Sequence, residues 1–506
     1  MTLHGAGVNL AGYLRTESGV GAAARGYAAA LRHLGVPISL ADLSHLSGNR
    51  AQDQTLTDFD RRHPYPINLV CADIEPHFAV VSDLGPAFFE GRYNVGIWAW
   101  ELPRFPEKWA DRFAYYDEIW VGSSFIANAL APVSPLPVVR IPPALDTAPE
   151  GSRERGRRHI RACEDEFVFL FIFDAHSHLE RKNPLAVVEA FRQAFLPSEA
   201  VRLVLKTVNA HSARAGLAQL QARAEGYPVS VCDGYWPATD VGDLVAACDV
   251  YVSLHRSEGT GLTITDAMAA GKPVIATGWS GNMDFMTVSN SYPVRYELVE
   301  IESRVGPYPA GDTWAEPSVD HAAALMRSVF EDRDAARERG RLARRDVAGQ
   351  YSSAHIAELV AQRLRAIHIR QDMAVYRQRM WDRFHEYQAL GARVRAAVKQ
   401  AVPAGATAAV VSRGDDHLVQ LDGRVGWHFP QTPDGVYAGA HPADSLEAIA
   451  QLTSIRARGA EYLVIPSTAS WWLDFYGEFG EHLNRHHRQI ASTDACRIYA
   501  LEGGRT

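Results

Sequence analysis

Short apolar runs alternate with longer amphipathic stretches through most of the chain. Val8–Leu10, Ile67–Ala72, Tyr93–Trp98 and Glu118–Val121 are too short for helices and rich in branched or aromatic residues, so they predict buried strands. Ala22–Leu34 predicts an amphipathic helix, and Phe88-Phe89 and Phe125–Leu130 fall in helical or turn segments. Ile141-Pro142-Pro143 stops this series, because proline neither continues a helix nor pairs in a central strand. After the charged stretch 151–166 a second series begins, with strands at Phe167–Phe173, Arg202–Thr207, Val229–Cys232, Val250–Leu254 and Pro273–Thr277. The intervening helices are Pro184–Phe195, Ala213–Glu225, Val241–Ala247 and Leu262–Ala270, and Asp320–Glu331 and Asp334–Gln350 close the unit. Two doubly wound α/β domains are expected, each a parallel sheet with helices on both faces.

From 361 to 400 the pattern changes. Ile369, Met373, Tyr376, Met380, Phe384, Tyr387, Leu390, Val394 and Val398 recur at steps of three and four, which defines one face of a long helix. Nine basic residues here face three acidic ones, a net +6, so the total of −8 leaves −14 for the remainder. Three roles stay open for this helix: packing on or joining domains, a dimer coiled coil, or contact with an anionic membrane surface. Beyond Pro403 a third unit is expected, with strands at Ala408–Val411 and Tyr462–Ile465, a helix near Ser445–Arg458 and an aromatic cluster at Trp471–Tyr476. The expected organisation is therefore 1–150, 151–360, a basic helix or linker 361–400, and a small α/β domain 401–506.

Composition limits the class. At 506 residues, 47% hydrophobic and 22% charged, the chain reads as ordinary globular protein. Its acidic balance makes it a poor general nucleic-acid binder. The five cysteines form no C-x-x-C pair, so a disulfide framework or structural zinc site is not expected and a reducing cytosol fits. No apolar run approaches 18 residues, and the first residues lack a signal-peptide pattern. A cytoplasmic protein is expected, one that could lie peripherally at the inner face of the membrane. His77, His176, His178 and His255 show no metal-ligand spacing, so no metal is assigned. The basic run Arg153, Arg155, Arg157, Arg158, Arg161 reads as a solvated face.

The chemistry concentrates in His255–Thr277. It follows a strand and opens a helix, and Gly259 and Gly261 let the backbone approach a ligand. The amides of Thr260, Gly261 and Leu262 would lie at the helix N-terminus, a natural phosphate site. Glu258 precedes that loop and Asp266 follows eight residues later, so both can reach the carboxyl end of the strand, where open α/β sheets bind ligands. A carboxylate there can accept hydrogen bonds from vicinal hydroxyls.

The stretch EGTGLTITDAMAAGKPVIA resembles the Glu-x7-Glu signature of retaining nucleotide-sugar glycosyltransferases of family 4, which have the GT-B fold. Asp266 replaces the second glutamate, keeping the charge and shortening the reach by one methylene. The resemblance spans about residues 1–365 and implies two Rossmann-like domains facing a cleft, with a GDP- or UDP-sugar donor and no required divalent metal or other cofactor. It implies that Glu258 positions the sugar and Asp266 holds the ribose. Gly19 and Gly21 resemble the glycine-rich loop that approaches the donor diphosphate, although G-x-G alone also fits a plain turn.

Glu180-Arg-Lys-Asn-Pro184 resembles the family's basic pair, which neutralises the leaving diphosphate. Lys182 is carried over, and Arg181 with it. The family's usual arginine position, five residues before the lysine, is Ser177 here. Lys206 is a further donor-side cation, and for each of these a solvated surface charge is the alternative. Gly278–Asp284 occupies the place of a loop near the nucleotide. Trp100 and Glu101 are acceptor candidates, and Trp98 reads as core. The acceptor would be a glycan or a lipid-linked glycan. Gly423–Pro430 and Tyr462–Pro466 resemble modules appended to bacterial glycosyltransferases, which assigns the third unit no role. Two other readings stay open. A nicotinamide-dependent Rossmann enzyme is suggested by Gly19-Val20-Gly21 but has Ala24 in the last glycine place, and a silent sugar-binding scaffold is suggested by Asp266.

Overall fold

The computed structural model describes residues 7–145, 151–371 and 373–501, with side chains omitted at 371 and 374–376. The expected boundary at 150 and the acid Asp372 fall outside the described residues, as does the side chain of Tyr376. The chain forms two compact units, 1–368 and 369–506.

The first unit holds two lobes. In the first lobe β1 (Val8–Gly12), β2 (Ile38–Asp42), β3 (Ile67–Cys71), β4 (Tyr93–Trp98), β5 (Glu118–Val121) and β6 (Val138–Arg140) form a parallel sheet of order β2-β1-β3-β4-β5-β6. In the second, β7 (Phe167–Asp174), β8 (Val201–Val208), β9 (Val229–Asp233), β10 (Val250–Ser253), β11 (Val274–Thr277) and β12 (Tyr292–Val294) take the order β12-β11-β10-β7-β8-β9. Both are doubly wound, as the alternation of strands and helices predicts. β1, β3, β4, β5 and β10 are buried along their whole length, which explains their nearly continuous apolar runs.

The sequence pattern omits β2, β6, β12 and the hairpin β13 (Tyr296–Glu300) and β14 (Thr313–Pro317). β2, β6 and β12 are edge strands and β13 is largely exposed, and β2 and β14 carry polar residues among their buried ones, so no continuous apolar run marks them. The basic run near 153–161 is paired rather than merely solvated: Arg155 bonds the Asp243 carboxylate at 2.7 Å, and Arg153 and Arg157 reach Asp249 at 2.7 and 3.0 Å.

The main difference from expectation concerns residues beyond 350. The helix Ser353–Gln371 does not belong to a separate linker. Its Ile356, Ala357, Val360, Leu364 and Ile367 are buried in the first lobe's core beside Leu10, Leu69 and Trp120. The chain thus leaves the first lobe, builds the second and returns. The return is fixed by charge as well as by packing. Glu118 is fully buried at the start of β5 and accepts hydrogen bonds from Trp120 Nε1 (2.6 Å), Tyr93 OH (3.1 Å) and Arg363 Nε (2.7 Å).

In the second unit, the helix Met373–Ala401 precedes a mixed sheet of order β16-β15-β17-β19-β18. Its strands are β15 (Thr407–Val410), β16 (Val425–His428), β17 (Tyr462–Pro466), β18 (Arg488–Ser492) and β19 (Cys496–Ala500). The aromatic cluster divides, with Trp472 and Tyr476 in the core and Phe475 exposed.

Replacing Arg363 with alanine strands the buried Glu118 carboxylate. Loss of one partner of such a pair costs about 3 kcal/mol or more. Urea unfolding of Arg363→Ala should show a destabilisation of that size, and a change within experimental error would refute the role given to this pair.

Candidate active site

A doubly wound sheet opens a crevice where its strand connections diverge to opposite sides. In the second lobe that point lies between β7 and β10, which pair directly. The segment after β7 carries Arg181 and Lys182 on a single helical turn, Leu179–Lys182. The segment after β10 carries Glu258. The fold therefore brings residues 76 positions apart to one spot: Lys182 Nζ donates to Glu258 Oε1, and Arg181 Nη1 lies 3.4 Å from Glu258 Oε2. Arg181 also donates to the Ser257 carbonyl at 2.8 Å, so its guanidinium is fixed against the loop.

Electrostatics follow from this packing. Glu258 is 8% exposed, and burial alone would push its carboxyl up. Lys182 and Arg181 outweigh that and hold it at about 2. Burial lowers Lys182, opposed by the attraction of Glu258. The two cations are attracted by Glu258 and, more weakly, by Glu101, with Tyr308 5.9 Å from the Arg181 guanidinium. Arg181 and Lys182 are the cations this crevice offers to an entering anion.

The loop 258–261 is clamped on both sides. Glu258 N–H donates to Ser280 Oγ at 2.9 Å, and Gly281 N–H donates to the Glu258 carbonyl at 2.9 Å. From the first lobe, Ser123 Oγ donates to the Gly259 carbonyl at 2.5 Å, and Ser257 Oγ donates to the Glu101 carbonyl. Gly261 takes φ +86 and caps the helix Leu262–Ala269, so the turn that aims the helix N-terminus needs glycine. Thr260 sits against Gly122 of the first lobe.

Asp266 lies on that helix with its side chain exposed, and the desolvation by neighbouring protein raises its carboxyl to about 7. His255, fully buried, is held at about 4 by burial, with Ser253 and Asn282 hydrogen-bonded to its ring nitrogens at 3.0 Å each. It is a neutral brace for the loop.

Other predicted residues fall into place differently. Gly19 begins the helix Gly19–His33 and faces Leu262, which brings the glycine-rich loop opposite the 258–262 loop. At Gly21 a side chain would meet the Thr16 carbonyl at 2.3 Å, so this glycine serves its own turn. Lys206 is buried, donates to the Thr207 carbonyl at 2.8 Å and to the Gly234 carbonyl, and lies over Trp236. It is committed to that loop rather than to the Glu258 cluster. Trp100 is 2% exposed, its Nε1 donates to the Arg104 carbonyl at 2.8 Å, and its ring packs on Trp109. Its face is thus covered in this structure, and only its backbone approaches Gly259. Glu101 reaches the interlobe region, accepting from Tyr308 OH at 2.9 Å.

Two residues, Tyr308 and Asp73, gave no sequence signal, and a third, Ser280, lies in the loop 278–284 whose residues had no assigned roles. Tyr308 sits between β13 and β14 and joins Glu101 to Arg181. Ser280, at φ +79, anchors Glu258. Asp73 follows β3, where burial, then Glu101 and Glu75, push its carboxyl up to about 6. Each depends on a loop conformation that no periodicity encodes.

Residues 166–292, from the start of β7 to the start of β12, match the family described as glycosyl transferases group 1. Among solved structures, the chain is similar to HepE of Anabaena in complex with UDP and glucose, at 14% identity over 71% of this chain and 100% of that one, with a TM-score of 0.53. Sucrose-phosphate synthase of Thermosynechococcus elongatus is similar at 15% identity over 72% and 99%, with a TM-score of 0.55. A glycosyltransferase of Rickettsia africae is similar at 13% identity over 71% and 98%, with a TM-score of 0.52. Comparison with curated proteins gives no match. The first unit has the GT-B fold.

The clamp at Gly281 is testable. A Cβ there would lie 1.8 Å from the Gly259 carbonyl oxygen, between two backbones with no flexible side chain to yield. Gly281→Ala should displace the 258–261 loop and lower thermal stability, whereas Gly349→Ala, in open space, should not. Equal melting temperatures for the two variants would contradict this geometry.

Proposed function

We propose that the chain is a nucleotide-sugar glycosyltransferase that moves a hexosyl unit from a GDP- or UDP-sugar to a glycan or lipid-linked acceptor with retention of configuration. The observation that carries this reading is the Lys182–Glu258–Arg181 cluster at the second lobe's switch point, beside a helix N-terminus. The match of residues 166–292 to glycosyl transferases group 1 and the GT-B fold support it.

In this reading the donor diphosphate enters the cationic end of the crevice. Lys182 and Arg181 offset the charge that develops as the sugar–phosphate bond breaks, and the amides at Gly261 and Leu262 add fixed donors. Glu258 is kept ionised by its cations and accepts hydrogen bonds from the sugar. Asp266 accepts from the ribose. The acceptor oxygen forms the new bond to the anomeric carbon on the face the diphosphate leaves. Its proton passes to a departing phosphate oxygen, so the balance closes with a nucleoside diphosphate as second product. Glu101 and Asp73 line the acceptor side, where hydroxyl-bearing ligands suit carboxylates. No metal or other cofactor has a part in this proposal.

Transfer from a panel of nucleotide sugars, read by mass spectrometry, tests the assignment. Glu258→Ala and Lys182→Ala should each lower turnover by at least about a hundredfold while remaining folded. Undiminished transfer in both would remove the site from this reading.

Asp266 gives a pH test. With its carboxyl raised to about 7, it is neutral below that pH and a full hydrogen-bond acceptor above it. The affinity for an intact nucleotide sugar should therefore rise between pH 6 and pH 8 in the wild type. Asp266→Asn should flatten that rise. A profile unaltered by the substitution would contradict ribose recognition by Asp266.

A further inference from the structure

The helix Met373–Ala401 changes character along its length. Its last turns are built into the second unit's core through Leu390, Val394 and Val398. The same face continues toward the helix start through Tyr387, Phe384, Met380 and Met373 at steps of three, four and seven. There it is uncovered: Met380 is 62% exposed, Phe384 45%, and the neighbouring Trp381 54%. Trp381 and Phe384 pack edge-on against each other. Twelve residues of helix, about 18 Å, thus present large apolar side chains to solvent.

Charge around this face is sorted. Arg383 borders it on one side, with Arg379 one turn away, and Arg377 lies within it, one turn before Trp381, where its long stem carries the charge outward. The acids Asp382 and Glu386 fall on the reverse face, with Gln378 donating to Asp382 at 2.8 Å. The segment 373–384 carries three arginines against one acid, Asp382, and this net positive charge favours an anionic occupant over a second copy of itself. An anionic lipid surface meets both requirements: acyl chains take the Met, Phe and Trp side chains, and headgroup phosphates take the arginines, whose long stems reach outward.

We propose that the segment 373–384 lies flat in the interface of an anionic lipid bilayer, with Met380, Trp381 and Phe384 inserted and Arg377 and Arg383 at headgroup level. This site is separate from the first unit's crevice and does not depend on the transferase reading. No helix among the described residues is long and apolar enough to cross a membrane, so the contact is one of surface insertion.

Flotation of the full chain with phosphatidylcholine vesicles, with and without phosphatidylglycerol, tests it. Binding should require phosphatidylglycerol and fall at least about tenfold in Met380→Glu/Phe384→Glu and in Arg377→Glu/Arg383→Glu. All four positions are exposed, so both variants should keep the wild-type melting temperature. As a second measurement on an intact face, brominated phosphatidylglycerol should quench wild-type fluorescence more than that of Trp381→Phe. Three results would overturn the proposal: no vesicle binding by the wild type, binding unchanged in both charge variants, or sedimentation showing a self-association that Met380→Glu/Phe384→Glu abolishes.

Discussion

A carboxylate enclosed at the junction of two strands needs counter-charge, and Glu258 finds it in Lys182 and Arg181. Much of the first unit can be understood as support for that meeting. β7 and β10 are neighbours, so the turns that follow them deliver the cations and the carboxylate to one point. Ser280 and Gly281 hold the Glu258 backbone, and Ser123 and Glu101 hold its loop from the other lobe. These hydrogen bonds and ion pairs orient the cluster, and oriented charges act more strongly on a developing one than mobile ones do.

The lobes are joined at the opposite end of the chain's path as well. The helix Ser353–Gln371 returns to the first lobe and is pinned by Glu118 and Arg363. Near the glycine-rich loop, Asn49 accepts from Asn209 at 2.9 Å, and Arg50 N–H donates to Tyr235 OH at 3.2 Å. Glu17 of the loop itself pairs with Arg50. Contacts of this polar kind can be exchanged for water at low cost.

Legibility in the sequence followed burial. Strands enclosed on both faces, such as Tyr93–Trp98 and Phe167–Asp174, show as apolar runs. The Glu258–Asp266 motif was legible because its loop and the helix Leu262–Ala269 are contiguous in the chain. The edge strands Ile38–Asp42, Val138–Arg140 and Tyr292–Val294 and the hairpin Tyr296–Glu300/Thr313–Pro317 were not, since they are short or mix buried and open positions without a clean alternation. Tyr308, Ser280 and Asp73 reach the site through loop conformation alone. Trp100 misled because an aromatic residue after a strand reads equally as platform or core, and here packing on Trp109 decides for core. The basic helix was legible as a periodic face, but its division between two cores and solvent required the tertiary structure.

The central claim is that the Lys182–Glu258–Arg181 cluster recognises a diphosphate. Calorimetric titration of the wild-type protein with a nucleoside diphosphate and with the matching monophosphate measures this directly. The account predicts that the diphosphate binds at least about tenfold more tightly, and that Lys182→Ala removes most of that difference. Equal affinities for the two nucleotides in the wild type, or a preference that survives Lys182→Ala undiminished, would contradict it.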